Sequence, residues 1–287
     1  MLLTLLTKRF ADILFSLVRL FRRLPPEHNT VWQEEWSNYL KNTVSFYRGL
    51  SQQDQRIFEK RILLFLYSTR VEGGVAVTVT DEDRLLVAAS AIIPVWAFPK
   101  WKYFNLKAVY LLPALFDENF NCGTPNARIS GMVGTGPMSG KLALSKPHLH
   151  QGFKNSRDKQ NVGIHEFVHL IDMADGTVDG FPERLKEHSY SIHWLDFVRK
   201  KIDDIERRKS NIRDYGATNP AEFFSVATEY FFERPAMLKK KHPKLCTALE
   251  DFYQQNVGEI VRDRHFSKNG LCPCGSKKKY KRCCMES

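Results

Sequence analysis

The chain has 287 residues, of which 43% are hydrophobic and 26% are charged. This length allows one or two domains with a full hydrophobic core, and the composition excludes a collagen-like, coiled-coil or wholly disordered chain. The formal net charge of +11 is compatible with an acidic partner, such as nucleic acid, anionic lipid or an acidic protein surface, but does not require one.

The first segment, residues 1–23, is rich in Leu and Phe, and charged residues interrupt its apolar stretches. These stretches are too short for a spanning helix, and the charges lack the order of a secretory signal, so we expect a cytoplasmic protein. The apolar spacing predicts a basic amphipathic helix, with a Pro-rich linker ending at residue 29. Such a helix lies either on a membrane surface, as a peripheral contact, or against the protein's own core or another chain.

Residues 30–258 are expected to form one domain in which helices outnumber strands. Ser51, with Asp54 three residues later, has the pattern of a helix start. Pro147 follows the last predicted strand and makes it an edge strand. Because the strands fall in the first half, the fold class is α+β, mainly helical with a small sheet. The predicted helices are Trp32–Tyr47, one beginning at Ser51, Leu85–Phe98, Asn161–Met173, Tyr190–Arg208 and Pro220–Glu233, the strands are Val75–Val79, Ala108–Leu115 and Lys141–Ser145, and Cys122–Gly140 is a predicted loop.

The motif His165-Glu166-Phe167-Val168-His169 carries the main chemical signal. Residues four apart share a helix face, so both imidazoles can reach one metal ion. Two imidazoles and a carboxylate are a ligand set that suits zinc, and they leave the fourth coordination position open for water. Bound to the metal, that water has a pKa of about 7, so the Glu166 carboxylate can accept its proton. The alternative is a helix with two surface histidines. The apolar residues around the motif instead predict a buried helix, and the polar side chains of a buried helix need a partner such as a metal ion.

Spacing alone leaves the third metal ligand open. Asp175 lies six residues after His169, where a compact metal motif has its third ligand. Glu222 and Glu229 lie seven apart on one face of a strongly apolar predicted helix, and a buried acid there calls for a cation. The alternative interpretations are that Glu222 is the acid of a capping box and that Glu229 is a solvated or hydrogen-bonded helix residue. Asp172 is better placed to orient a ligating histidine than to bind the metal.

Three segments together resemble the MtfA-type (Mlc titration factor A) zinc peptidases, a gluzincin-like family distantly similar to the catalytic domain of anthrax lethal factor. They are the stretch His165–Asp172, the segment from Tyr215 through Asn-Pro-Ala-Glu222 to Phe223, and Glu229-Tyr-Phe-Phe. The resemblance is specific from about Gly152 to Phe252. It implies a zincin-like metallopeptidase domain.

The resemblance also implies the residue roles. His165, His169 and Glu222 would bind a catalytic zinc, and Glu166 would be the general base. Tyr215 would assist oxyanion stabilisation, although a packed core tyrosine is an equal alternative. The substrate, a peptide or protein, would lie extended beside the predicted edge strand, residues 141–145.

The last residues, 259–287, differ from the rest of the chain. Four cysteines lie within 13 residues and resemble the SEC-C motif, which is also found at the C-terminus of the bacterial preprotein-translocase ATPase. Four thiolates can complete a closed, structural zinc site that folds a short segment, and the alternative is a group of cytosolic thiols. The resemblance implies a module for protein or ribosomal partners, and sparse aromatic residues give no reason to expect sequence-specific nucleic-acid binding. The cysteines are Cys272, Cys274, Cys283 and Cys284.

Three functional hypotheses follow from these features. The first is a zinc metallopeptidase with one catalytic and one structural zinc ion. The second is a binding protein that sequesters a transcriptional regulator or docks on a protein or ribosomal partner, with weak or incidental peptidase activity. The third is an adaptor that uses the N-terminal helix and the basic tail at a membrane surface or ribosome.

Overall fold

The structure, a computed structural model of the chain, describes residues 31–134, 136–155, 158–180 and 191–261, together with Lys279 and Arg282. Two predictions lie outside these residues: the amphipathic helix within residues 1–29 and the zinc site of the four tail cysteines. Within the described part of the chain, no helix combines the length and hydrophobicity needed to cross a bilayer.

Three helices open the described chain: α1 (Glu34–Thr43), α2 (Ser45–Gly49) and α3 (Gln52–Ser68). The helix predicted over residues 32–47 is therefore divided in two, because Val44 takes an extended conformation with φ −102° and ψ 102°. The predicted helix start at Ser51 is confirmed. Its hydroxyl accepts the backbone N–H of Asp54 at 3.1 Å, which is the bond of an N-cap.

Helix α4 covers Asp81–Ile92, so it begins and ends earlier than the buried helix predicted over residues 85–98. A capping box fixes its start, since Thr80 and Asp83 each accept the other's backbone N–H, at 3.3 and 2.7 Å. The helix ends before Pro94, whose ring and missing N–H disfavour continuation. Its residues from Leu85 onward are all buried, as predicted for a core helix.

The sheet has four strands in the spatial order β1-β2-β4-β3. They are β1 (Arg70–Gly73), β2 (Ala108–Leu112), β3 (Gly131–Val133) and β4 (Lys141–Ser145). Strands β1, β2 and β4 are parallel, and β3 pairs antiparallel with β4. The two edges of the sheet are therefore β1 and β3.

Two strand predictions are wrong. Residues 75–79 do not form a strand, because Ala76 has a positive φ of 61° and the chain turns there. Lys141–Ser145 is a strand but not an edge strand, since it lies between β2 and β3. Pro147 does not affect its ladder because this proline belongs to the first turn of the following helix. The edge strand β3 instead comes from the predicted loop of residues 122–140.

The second half of the described chain is helical. The predicted helices within residues 161–173, 190–208 and 220–233 are confirmed to within two residues at each end. After the first of them, the 3₁₀ segment Met173–Asp175 ends at Gly176, which has a left-handed φ of 94°. The helices are α5 (Lys146–Lys154), α6 (Val162–Asp172), α7 (Ser191–Glu206), α8 (Pro220–Glu233), α9 (Pro235–Lys241), α10 (Pro243–Tyr253) and α11 (Val257–Ile260).

Helix α8 runs through the core against α6. All of its residues from Phe223 to Glu233 are buried. The ring of Phe224 lies 5.2 Å from that of Phe252, and such aromatic pairs contribute about 0.5–1.5 kcal/mol beyond their burial. The observed architecture confirms the predicted α+β class, a mainly helical domain with a small sheet.

Helix α6 also packs closely on α4. A Cβ atom at Gly163 would lie 2.1 Å from the Ser90 hydroxyl oxygen, so only glycine allows this approach. With α8 on another side, α6 is held between two buried helices.

Candidate metal centre

Helix α6 directs His165 and His169 toward α8. The two residues are one turn apart, and their Nε2 atoms are separated by 3.1 Å. His165 is 7% exposed, so its imidazole is almost fully withdrawn from water. The Asn161 side chain caps the helix by accepting the Ile164 N–H at 3.0 Å. The cap sets the first residue of the helix and therefore the position of His165 on its first turn.

Helix α8 brings Glu222 to the same point. Its Oε2 lies 3.0 Å from Nε2 of His165 and 3.5 Å from Nε2 of His169. Asn219 caps α8 by accepting the Glu222 N–H at 2.9 Å, and Pro220 occupies the first turn. The Glu222 side chain is thus free of the capping role that the sequence left open.

This donor set fits zinc. The ligand-type atoms of His165, His169 and Glu222 all lie within 4.8 Å of one another, and no other group of three such residues meets this condition in the described part of the chain. Zinc–donor distances of about 2.0–2.1 Å in a tetrahedron place the donors roughly 3.3 Å apart. The separations of 3.0, 3.1 and 3.5 Å agree with that spacing.

Glu229 contacts His165 from the opposite side of the ring. Its Oε1 accepts from Nδ1 of His165 at 2.8 Å, and its Oε2 accepts the backbone N–H of Asn161 at 2.5 Å. Arg213 also donates to Oε1. The carboxylate is therefore engaged behind the imidazole, in the orienting position rather than among the converging ligand atoms.

The other two acids considered from the sequence lie near the end of α6. Asp172 accepts the backbone N–H of Gly180 at 2.9 Å, a contact that holds the chain after the helix. Asp175 ends the short 3₁₀ segment Met173–Asp175, and its side chain is outside what the structure describes. The orienting role of Asp172 stays a prediction.

Ser225 was not singled out from the sequence. Its hydroxyl oxygen lies 3.3 Å from Nδ1 of His169, the second imidazole. Together with Glu222 and Glu229 it occupies one face of α8, at the first, fourth and eighth positions of a helical repeat. That spacing was readable in the sequence, but a serine in an apolar helix gives no distinctive signal.

Glu166 lies against the edge strand. It is 6% exposed, and burial raises the pKa of its carboxyl above the usual value. A Cβ atom at Gly131 would lie 2.6 Å from both Cγ and Oε1 of Glu166. Glycine at this point of β3 therefore leaves the space that the carboxylate occupies.

Tyr215 lies at the mouth of the site, on the 3₁₀ segment Asp214–Ala217. Its ring centroid is 5.9 Å from that of His165, and the residue is 52% exposed. Burial and the carboxylates of Glu222 and Glu166 raise the pKa of its hydroxyl to about 12. The half-exposed position disagrees with the core-tyrosine alternative.

The electrostatics of the cluster favour an added positive charge. Burial alone would lower the pKa of His165, but the carboxylates of Glu229 and Glu222 outweigh it and raise the pKa to about 10. Burial would raise the pKa of Glu222, but its hydrogen bonds with His165 and His169 hold it well below its usual range. The acids thus stabilise a cation at the imidazoles, whether a proton or a metal ion.

Comparison with known proteins agrees with this geometry. Residues 19–254 match the family described as glucose-regulated metallo-peptidase M90. The chain belongs to this metallopeptidase family. The M90 match covers α6, α8 and the edge strand, so every residue of the candidate centre lies inside it.

Several relatives of this chain carry the name Mlc titration factor A. Mlc titration factor A of Escherichia fergusonii is 32% identical over 178 residues, covering 59% of this chain and 66% of the relative. The Klebsiella pneumoniae protein of that name is 25% identical over 232 residues, covering 77% and 85%. An uncharacterized Synechocystis protein is 30% identical over 246 residues, covering 82% and 86%. The MtfA-type resemblance is confirmed.

The tail also matches a known motif. Residues 269–286 match SEC-C, which confirms the resemblance of the cysteine-rich segment. The two matches fall on separate parts of the chain, and together they support metal binding.

Proposed function

We propose that this chain is a zinc-dependent metallopeptidase in which His165, His169 and Glu222 hold the zinc ion and Glu166 is the general base. The observation that carries the proposal is the convergence of the three ligand-type residues on one point, in a chain of a metallopeptidase family. Zinc bound there would polarise the scissile carbonyl and lower the pKa of water toward 7.

The protein's own groups would handle the protons. Glu166 accepts a proton from the attacking water and delivers it to the leaving amine, and its raised pKa suits both steps. The Tyr215 hydroxyl donates a hydrogen bond to the oxyanion that develops on the carbonyl oxygen. A pKa of about 12 keeps that hydroxyl protonated at neutral pH.

The substrate peptide would add to the sheet at β3, not at β4 as expected from the sequence. Strand β3 is the last strand beside the site, and its Gly131 lies next to Glu166. An extended peptide paired with β3 would present its backbone to the general base. Because such pairing uses main-chain hydrogen bonds, it accepts peptides of varied sequence.

The test is the variant Glu166→Gln, which keeps the size of the side chain and removes the base. We expect zinc content unchanged and peptide hydrolysis lower by about 10²–10⁴-fold. The matched control is Glu118→Gln, at an exposed acid far from the centre in sequence, which should hydrolyse peptides at the wild-type rate. Full hydrolysis of every peptide substrate by Glu166→Gln would refute the assignment.

A second candidate function is titration of a transcriptional regulator. The names of the relatives favour it. In that case a regulator would bind the surface around the site, and cleavage would be secondary. Glu166→Gln separates the two functions, because sequestration of a regulator would survive the loss of the base.

We further propose three functional regions. Residues 30–258 form the metallopeptidase domain, residues 1–29 supply the amphipathic helix and linker, and residues 259–287 form a separate zinc module. The SEC-C match supports the last assignment. Its four cysteines would hold a structural zinc, and the module would dock on a protein or ribosomal partner.

A further inference from the structure

One carboxylate oxygen in the site is shared by two donors. Oε1 of Glu229 accepts from Nδ1 of His165 at 2.8 Å and also from Nη2 of Arg213. The side chain of Glu229 is 2% exposed, so its carboxylate is shielded from bulk water, and Arg213 provides a positive counter-charge for it. Sequence reasoning did not single out Arg213.

Arg213 also belongs to the segment that carries Tyr215. It immediately precedes the 3₁₀ turn Asp214–Ala217, and its carbonyl accepts the Gly216 N–H at 2.9 Å. Its side chain is 23% exposed, and the turn packs along α8. The guanidinium therefore joins this turn to Glu229, and through Glu229 to the imidazole of His165.

We propose that Arg213 is a positioning residue that sets His165 and Tyr215 relative to each other. Without its guanidinium, Glu229 would be a buried anion with only a ring N–H and one backbone N–H as donors, which is costly. The carboxylate would then shift away from its present position, and His165 would lose the acceptor that fixes its ring. The turn carrying Tyr215 would lose one of its side-chain contacts with α8 at the same time.

This inference rests on the proposed function, but its main readout does not need peptidase activity. The experiment measures zinc affinity of the full chain by chelator competition, for wild type, Arg213→Met and Arg213→Lys. We expect Arg213→Met to bind zinc at the histidine site about 10–100-fold more weakly, as for other partners of ligating histidines. Arg213→Lys should recover part of the loss, because it restores the charge but not the fork-shaped donor geometry.

A cobalt-substituted protein provides the readout that a merely structural role would not change. We expect the visible spectrum of cobalt at this site to differ between wild type and Arg213→Met, because the His165 ring is no longer fixed. The matched control is Arg207→Met, which removes an exposed arginine that directly follows α7 and pairs with Asp203. Its spectrum and zinc affinity should equal those of wild type.

A double-mutant cycle with Glu229→Gln tests the route through Glu229. We expect the double variant to bind zinc with about the same affinity as the single variant that binds zinc more weakly, because both substitutions break the same Arg213–Glu229–His165 connection. The inference would be overturned if the fold-losses of zinc affinity in the two single variants multiplied in the double variant. It would also be overturned if Arg213→Met had the zinc affinity and cobalt spectrum of wild type. If Arg213→Met does not fold, Arg213→Lys decides by the same two measurements. A wild type that binds zinc without cleaving peptides would instead count against the proposed function alone.

Discussion

Replacing Gly131 by alanine places a methyl group against the proposed base. Its Cβ would lie 2.6 Å from Cγ and Oε1 of Glu166 and 2.7 Å from a methyl group of Val162. These distances are well inside van der Waals contact, and Cγ is not the flexible end of its side chain. The Glu166 carboxylate must therefore move, or β3 must withdraw from α6. Either response separates the base from the peptide that would pair with the edge strand.

The expected magnitudes follow from the contact. Overpacking of this kind costs about 1–3 kcal/mol of unfolding free energy. A displaced base should lower hydrolysis by about 10²-fold or more, while the ligand residues keep zinc bound. The assays are peptide hydrolysis, zinc content and urea unfolding. The control is Gly258→Ala, where the nearest atom to a new Cβ is 3.5 Å away, and it should be close to wild type in all three. Wild-type hydrolysis by Gly131→Ala would refute the placement of Glu166 at the reacting groups.

Three further outcomes are expected. Burial and the nearby Glu229 raise the pKa of Glu233 to about 9 from 4.5, so the folded state holds a proton that the unfolded state loses. The contribution of Glu233 to the free energy of unfolding should fall by about 1.4 kcal/mol per pH unit as pH rises between these two pKa values. Urea unfolding of Glu233→Gln at several pH values should show that this contribution to the pH dependence is absent. The contribution of Asp83 to stability should change with pH in the opposite direction. Burial would raise its pKa, but hydrogen bonds from His150 and Lys146 lower it, so Asp83→Asn should cost about 3 kcal/mol at pH 7 and less as pH falls below about 4. Metal analysis should find two zinc ions per chain, and one when both Cys283 and Cys284 are serine.

The convergence of residues at the candidate metal centre was largely predictable because the spacing of its motif is local. Two histidines four apart must share a face once the segment is helical, and the Asn-Pro pair before Glu222 is a strong local signal for the start of a helix. The choice of Glu222 over Asp175 and Glu229 came from the family resemblance. No sequence rule states how α8 crosses α6, and that crossing brings Glu222 to the Nε2 side of His165 and Glu229 to the Nδ1 side.

The sheet was less predictable for a physical reason. Strand β3 has three residues, two glycines near it and no alternation of apolar and polar side chains, so its pairing with β4 comes from tertiary contacts rather than from β-propensity. The segment of residues 75–79 does alternate, but the positive φ at Ala76 breaks it. The error matters for function because it assigned substrate pairing to a strand whose two sides are already occupied.

The distribution of polar groups on α8 explains why these acids can remain in an apolar helix. A buried carboxylate is costly unless donors or cations satisfy it. Glu229 has three donors, from His165, Asn161 and Arg213, and all are fixed by the fold. Glu222 lies against the two imidazoles that converge with it, and the Tyr215 hydroxyl is a further hydrogen-bond partner. The hydrogen-bonding needs of Glu229 are thus met by the protein alone, whereas Glu222 is suited to binding a metal ion.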